Sequence, residues 1–129
     1  MSWHWLSEAA ILAAHEQQIA EHGGLPGVRD RSLLESALAR PQQKANYGEA
    51  DAATQAAAYA YGIVRNHPFV DGNKRIALIS AETFLLDNGY QLEADDLAIY
   101  EAMIKLAAGE MSESDFAGWL RANVTGSIA

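Results

Sequence analysis

The nine residues His67-Pro68-Phe69-Val70-Asp71-Gly72-Asn73-Lys74-Arg75 set an imidazole, a carboxylate, a glycine and two cations in one short run. Histidine exchanges protons near neutral pH, so His67 suits removal of a proton from a hydroxyl as it attacks phosphorus. Asp71 offers the kind of hard oxygen that magnesium takes when substrate phosphates and water complete its shell, and it could equally cap the helix that follows. Gly72 lets the backbone come up to phosphate oxygens with no Cβ between them. Lys74 and Arg75 supply charge, Arg75 with a planar fork able to grip two oxygens. Gly72, Asn73, Lys74 and Arg75 are therefore the candidate phosphate ligands, without the spacing of a Walker loop. A base, a metal ligand and a phosphate cradle in this order are what phosphoryl or nucleotidyl transfer requires.

Such a cradle works only if an element presents it. Ile76, Leu78, Ile79, Ala81, Phe84, Leu85 and Leu86 recur at helical spacing and stop at Asn88-Gly89, so the motif's second half opens a helix whose first turn leaves N–H groups free for an anion. Ahead of the motif, the alanine-rich run from 52 to 65 predicts a buried helix that delivers Arg65 and His67. Residues 7–22 form a first helix stopped by Gly23-Gly24, and Asp30 caps a second that Pro41 is expected to end. Residues 42–49 read as a loop or a small two-stranded hairpin. Tyr90-Gln91-Leu92 is a brief extended link. Asp95 or Asp96 caps a helix through Ala108, Ser112 and Asp115 open a last one, and the tail frays from about residue 123. Trp3 and Trp5 are expected to pack on that last helix with Trp119. The sum is an all-α bundle of about six helices, one domain over residues 1–129.

Composition narrows the chemistry further. With no cysteine, disulfides, thiol nucleophiles and thiolate metal sites are excluded together. A formal charge of -8 argues against direct binding of nucleic acid. No apolar run is long enough for a membrane span and no secretory leader opens the chain, so a cytoplasmic location is the expectation.

Residues 67–75 resemble the signature of the Fic/Doc superfamily, and Lys74, where most Fic proteins carry glycine, resembles its Doc, or death-on-curing, branch. Gly23-Gly24-Leu25-Pro26-Gly27 and residues 31–41 are similar to the N-terminal part of Doc-like chains, and the likeness covers most of residues 6–122 in helix order. The resemblance implies a toxin of a type II toxin-antitoxin pair: a protein kinase that uses Mg²⁺ and ATP to phosphorylate a threonine of elongation factor Tu. Most Fic relatives instead transfer AMP to protein hydroxyls, and a catalytically silent module that holds an antitoxin or a nucleotide is the third reading. By the same resemblance Arg65, otherwise a surface ion-pair residue, contacts the transferring phosphate beside His67 and Lys74. Ile79 departs from the polar residue of Doc near the nucleotide. The chain also lacks a Ser or Thr followed four positions later by Glu and then Gly or Asn, the inhibitory signature of many Fic enzymes, which implies restraint by an antitoxin in trans.

Overall fold

Among the described residues of the computed structural model, 3–48 and 50–126, six helices succeed one another, and five open at a side-chain cap. The first, α1 (Glu8–His22), starts where Ser7 Oγ accepts from the Ala10 amide at 3.1 Å. Asp30 accepts from the Leu33 amide to open α2 (Arg31–Asn46), and Asp51 accepts from the Thr54 amide to open α3 (Ala52–Asn66). Next, α4 (Asn73–Asp87) begins at Gly72 with no side-chain cap at all. Asp95 and Ser112 then cap α5 (Asp96–Ala107) and α6 (Glu113–Asn123) in the usual way.

The alanine-rich α3 lies in the middle, packed against α2, α4 and α6. Its small side chains set the distances: a Cβ added at Gly62 would come within 3.2 Å of Ala37 Cα, so α2 and α3 touch nearly backbone to backbone. Around it the larger core residues, Tyr59, Phe69, Phe84, Phe116 and Leu34, are wholly buried. The Tyr59 hydroxyl accepts from the Leu6 amide at 3.0 Å and so ties the N-terminal segment to the core. All-α architecture is thus as the sequence implies, and no helix among the described residues is long and apolar enough to cross a membrane.

Four expectations need correction. First, α2 does not stop at Pro41 but runs on to Asn46, which makes residues 42–46 helix rather than loop or hairpin; Tyr47 and Gly48 turn, and Glu49 lies outside the described residues. A proline inside a helix costs about 3 kcal/mol. Here the extra turn is held from outside, because Arg40 and Lys44 on either side of the buried Pro41 both reach Glu113, Arg40 Nε at 3.2 Å and Lys44 Nζ at 3.4 Å. Second, residues 124 and 125 do not fray: β2 (Val124–Thr125) pairs antiparallel with β1 (Gln91–Leu92), Gln91 opposite Thr125, and the rest of the tail from 127 lies outside the described residues. Third, Trp3 and Trp5 pack on α4, each 5.8 Å from the Phe84 ring, while Trp119 stacks on Phe116. Their anchor is Asn88, whose side chain bonds both backbone groups of His4 and draws the segment toward α4. Fourth, Asp71 does not cap α4, for reasons that belong to the site.

Candidate functional site

The chain leaves α3 through His67, whose φ of 52° and ψ of 53° make it the one non-glycine residue among those described in the left-handed region. For an L residue that conformation costs about 1–2 kcal/mol. The following Pro68 already disfavours further helix at residue 67. The turn stops α3 and aims the exposed His67 ring at the space in front of α4. A second strip of chain fixes it: Arg29 Nε donates to His67 O at 2.7 Å and Arg29 Nη2 to Asn66 O at 2.9 Å, a cation on the open carbonyl end of α3. The Arg29 and Asp30 amides donate to Pro68 O, and Val70 N donates to Gly27 O, so the α1–α2 connection lies alongside the motif.

Asn73 locks the loop from inside. Its side chain is 4% exposed; Oδ1 accepts from the Phe69 amide at 3.0 Å and Nδ2 donates to Phe69 O at 2.9 Å. That two-way grip fixes which end of the amide is nitrogen, and the nitrogen also lies 3.2 Å from His67 Nδ1. Its side chain, expected among the phosphate ligands, therefore serves the loop, and only its backbone N–H is placed for an anion. Asn73→Ala should leave the buried Phe69 N–H and C=O without partners and lower stability by about 1–3 kcal/mol for each group so exposed. Urea unfolding of the variant measures this loss.

Asp71 is held by backbone on both oxygens. Oδ2 accepts from the Leu25 amide at 3.1 Å and Oδ1 from the Gly72 amide at 2.9 Å, so neither reaches the amides further along α4 that a cap would serve. These two bonds, with Arg75 and His15 adding smaller attraction, hold its carboxyl below the ordinary range and keep it ionised. The approach to Leu25 needs a glycine before it: a Cβ at Gly24, whose φ is 115°, would sit 2.8 Å from Asp71 Oδ2.

His67, Asp71, Gly72, Asn73, Lys74 and Arg75 all line one cleft of about 850 Å³ between α4 and α5. Arg65 does not line it; its Nη1 donates to the Tyr61 hydroxyl at 3.0 Å on the exposed side of α3. The cleft is electrically polar along its length. Lys74 and Arg75 stand on the uncapped first turn of α4, apolar Leu78, Ile99 and Met103 form the middle, and Glu82 with Asp96 closes the far end. From Lys74 to Glu82 the helix rises about 12 Å. Burial, and then the charge of Asp96, push the Glu82 carboxyl above the ordinary glutamate range. The native state therefore holds this proton more tightly than the unfolded chain does, and stability falls as pH rises from the ordinary value of 4.5 through the raised one. Glu82→Gln should remove that fall and leave the protein more stable at neutral pH, a difference that urea titrations below and above the window will show.

The Fic/DOC family model matches residues 5–85, the span from α1 through most of α4 that builds the whole cationic end of this cleft. Protein kinase doc of Escherichia phage P1 is 37% identical over 117 residues, which cover 90% of this chain and 92% of that protein. The chain belongs to the Fic/Doc family. Toxin Doc of Mycolicibacterium smegmatis is 51% identical over 77 residues, 57% of this chain and 58% of its own, and with the phage protein it places this Fic/Doc protein in the Doc branch.

Proposed function

We propose that this Fic/Doc protein is a Doc-like toxin, a protein kinase that moves the γ-phosphate of ATP to a threonine hydroxyl of elongation factor Tu and is restrained by an antitoxin in trans. The observation that carries the reading is Lys74, exposed on the uncapped first turn of α4 and sharing a cleft with His67, in a chain 37% identical to a protein named a kinase. A lysine there fills space and adds a cation where a glycine would leave room for phosphates. The γ-phosphate rather than the α-phosphate then stands before the base.

The cleft's polarity supports that orientation. Phosphates are drawn to Lys74, Arg75 and the backbone N–H of Asn73 on the uncapped first turn of α4, and are repelled from Glu82 and Asp96. The apolar walls between them suit a purine ring. As the threonine oxygen bonds to the γ-phosphorus and the bond to the β,γ-bridging oxygen breaks, His67 takes the hydroxyl proton and ADP leaves. In the resting ring Asn73 donates toward Nδ1, which puts the proton of the neutral ring on Nε2. Base action at Nε2 therefore requires the ring proton on Nδ1 and this long contact given up, a cost of about 1 kcal/mol. Arg65 is assigned to the transferring phosphate and would have to leave Tyr61 to reach it.

Among the described residues no group of three or more His, Cys, Asp or Glu side chains could hold a metal alone. The magnesium of phosphoryl transfer needs only one or two carboxylates, and ionised Asp71 fits, since each oxygen accepts one amide and keeps a second lone pair. When bound, the ion neutralises charge on the phosphates. Incubation with ATP and elongation factor Tu, followed by intact mass measurement, tests the reading: the gain of one phosphoryl group supports it. Gain of AMP assigns adenylyl transfer instead, and no gain, with no growth arrest on expression alone, assigns a silent module.

A further inference from the structure

His15 is the one buried histidine among the described residues, 3% exposed in the middle of α1 and 56 positions from the residue it serves. Its ring lies flat on Phe69, centroids 3.9 Å apart and planes 12° from parallel. An apolar ring would stack as well. What the imidazole adds is Nε2, 2.8 Å from the carbonyl oxygen of Asp71. A carbonyl can only accept, so Nε2 carries a proton and donates it there.

The same face of α1 meets the motif again one turn later. Ile19 Cδ1 would be 3.5 Å from a Cβ at Gly72 and 3.1 Å from one at Gly24, and a Gly72 Cβ would be 3.6 Å from His15 Nε2 itself. His15 therefore holds the Asp71 carbonyl and Ile19 packs beside the neighbouring Gly72 and Gly24, while the Leu25 and Gly72 amides hold the Asp71 carboxylate. We infer that His15 is a positioning residue for Asp71: its N–H fixes the Asp71 carbonyl, and through it the direction in which the carboxylate faces the cleft. The orientation claim stands on the chain alone, and its consequence for a divalent cation rests on the proposed function.

The test pairs a variant that keeps the stack with one that keeps the donor. His15→Phe retains a ring on Phe69 and loses the N–H; His15→Gln places an amide nitrogen near the Nε2 position. In the protein without ligands, amide hydrogen exchange at Leu25 and Gly72 should quicken about tenfold in His15→Phe, the size of one lost hydrogen bond, while α3 and α6 amides keep their rates. In His15→Gln the two amides should exchange as in the parent. With Mn²⁺ and a non-hydrolysable ATP analogue, electron paramagnetic resonance should show cation affinity about tenfold weaker in His15→Phe and restored in His15→Gln, as for a group that orients a ligand from behind. On an Asp71→Asn background His15→Phe should add no further loss.

Unchanged exchange at Leu25 and Gly72 in a folded His15→Phe protein overturns the inference, as does a loss of cation affinity that adds in full to that of Asp71→Asn. If His15→Phe does not fold, His15→Met supplies the donorless variant for the same comparison. Failure of the parent protein to bind the Mn²⁺–nucleotide pair overturns the proposed function instead, and the exchange rates then decide on His15 alone.

Discussion

His67→Ala should lower γ-phosphate transfer by about 10²–10⁴-fold, the range a positioned general base contributes. The fold should survive the change, because the ring is exposed and its one hydrogen bond among the described residues, with Asn73 Nδ2 at 3.2 Å, adds to a grip that Phe69 already completes. The more telling variant is His67→Gly. At a φ of 52° a histidine pays the left-handed penalty that glycine does not, so the glycine protein should be as inactive as the alanine one yet more stable, by about 1 kcal/mol. A kinase assay beside a urea titration separates the two effects. A His67→Gly protein that loses stability would mean that the ring holds the loop together, and retained transfer in either variant would remove the base assignment.

Lys74→Ala should cost about 10²–10³-fold in transfer, as loss of one preorganised donor at a developing charge does. The side chain is exposed on the first turn of α4, so the expected loss belongs to the phosphate site rather than to folding. Removing a cation also removes attraction in the ground state, which should appear as a raised KM for ATP beside the fall in kcat. Lys74→Gly carries a further expectation: with both the charge and the bulk gone, room opens for phosphates at the α4 N-terminus, and transfer of AMP should become measurable where the parent shows none. Kinetics of Lys74→Ala indistinguishable from the parent would leave the lysine without a role in the chemistry.

Much of the architecture was legible because its signals are local. Asp30, Asp95 and Ser112 cap where their types and the following apolar periodicity place them. Pro41 misled because a local rule was outweighed by contacts 73 positions away, from Arg40 to Glu113. The terminal strand was unreadable for the same reason, since two residues of extended chain gain order only from a partner at Gln91–Leu92.

The candidate site divides along the same line. Residues 67–75 announced themselves by type, and the cleft gathers six of the seven named positions, with Arg65 left outside on Tyr61. The jobs of individual side chains were less legible. Asn73 looked like a phosphate ligand and its side chain is the loop's clasp, while Asp71 looked like a metal ligand or a cap and its carboxylate accepts from the Leu25 and Gly72 amides instead of capping α4. Arg29 and His15 gave no signal as lone residues, because their partners, the carbonyls of Asn66, His67 and Asp71, are backbone atoms that no side-chain pattern reveals. A histidine at an inward position of α1 was the one available hint, since a buried imidazole needs a hydrogen-bond partner.

In the proposed reaction the cleft presents the γ-phosphate to a hydroxyl at His67. This is tested most directly by incubating the protein with elongation factor Tu and ATP labelled in parallel at the γ or the α phosphorus, with His67→Ala as control. Label is expected on a threonine of the factor from the γ position alone, and none with His67→Ala. Label arriving from the α position would contradict the proposal.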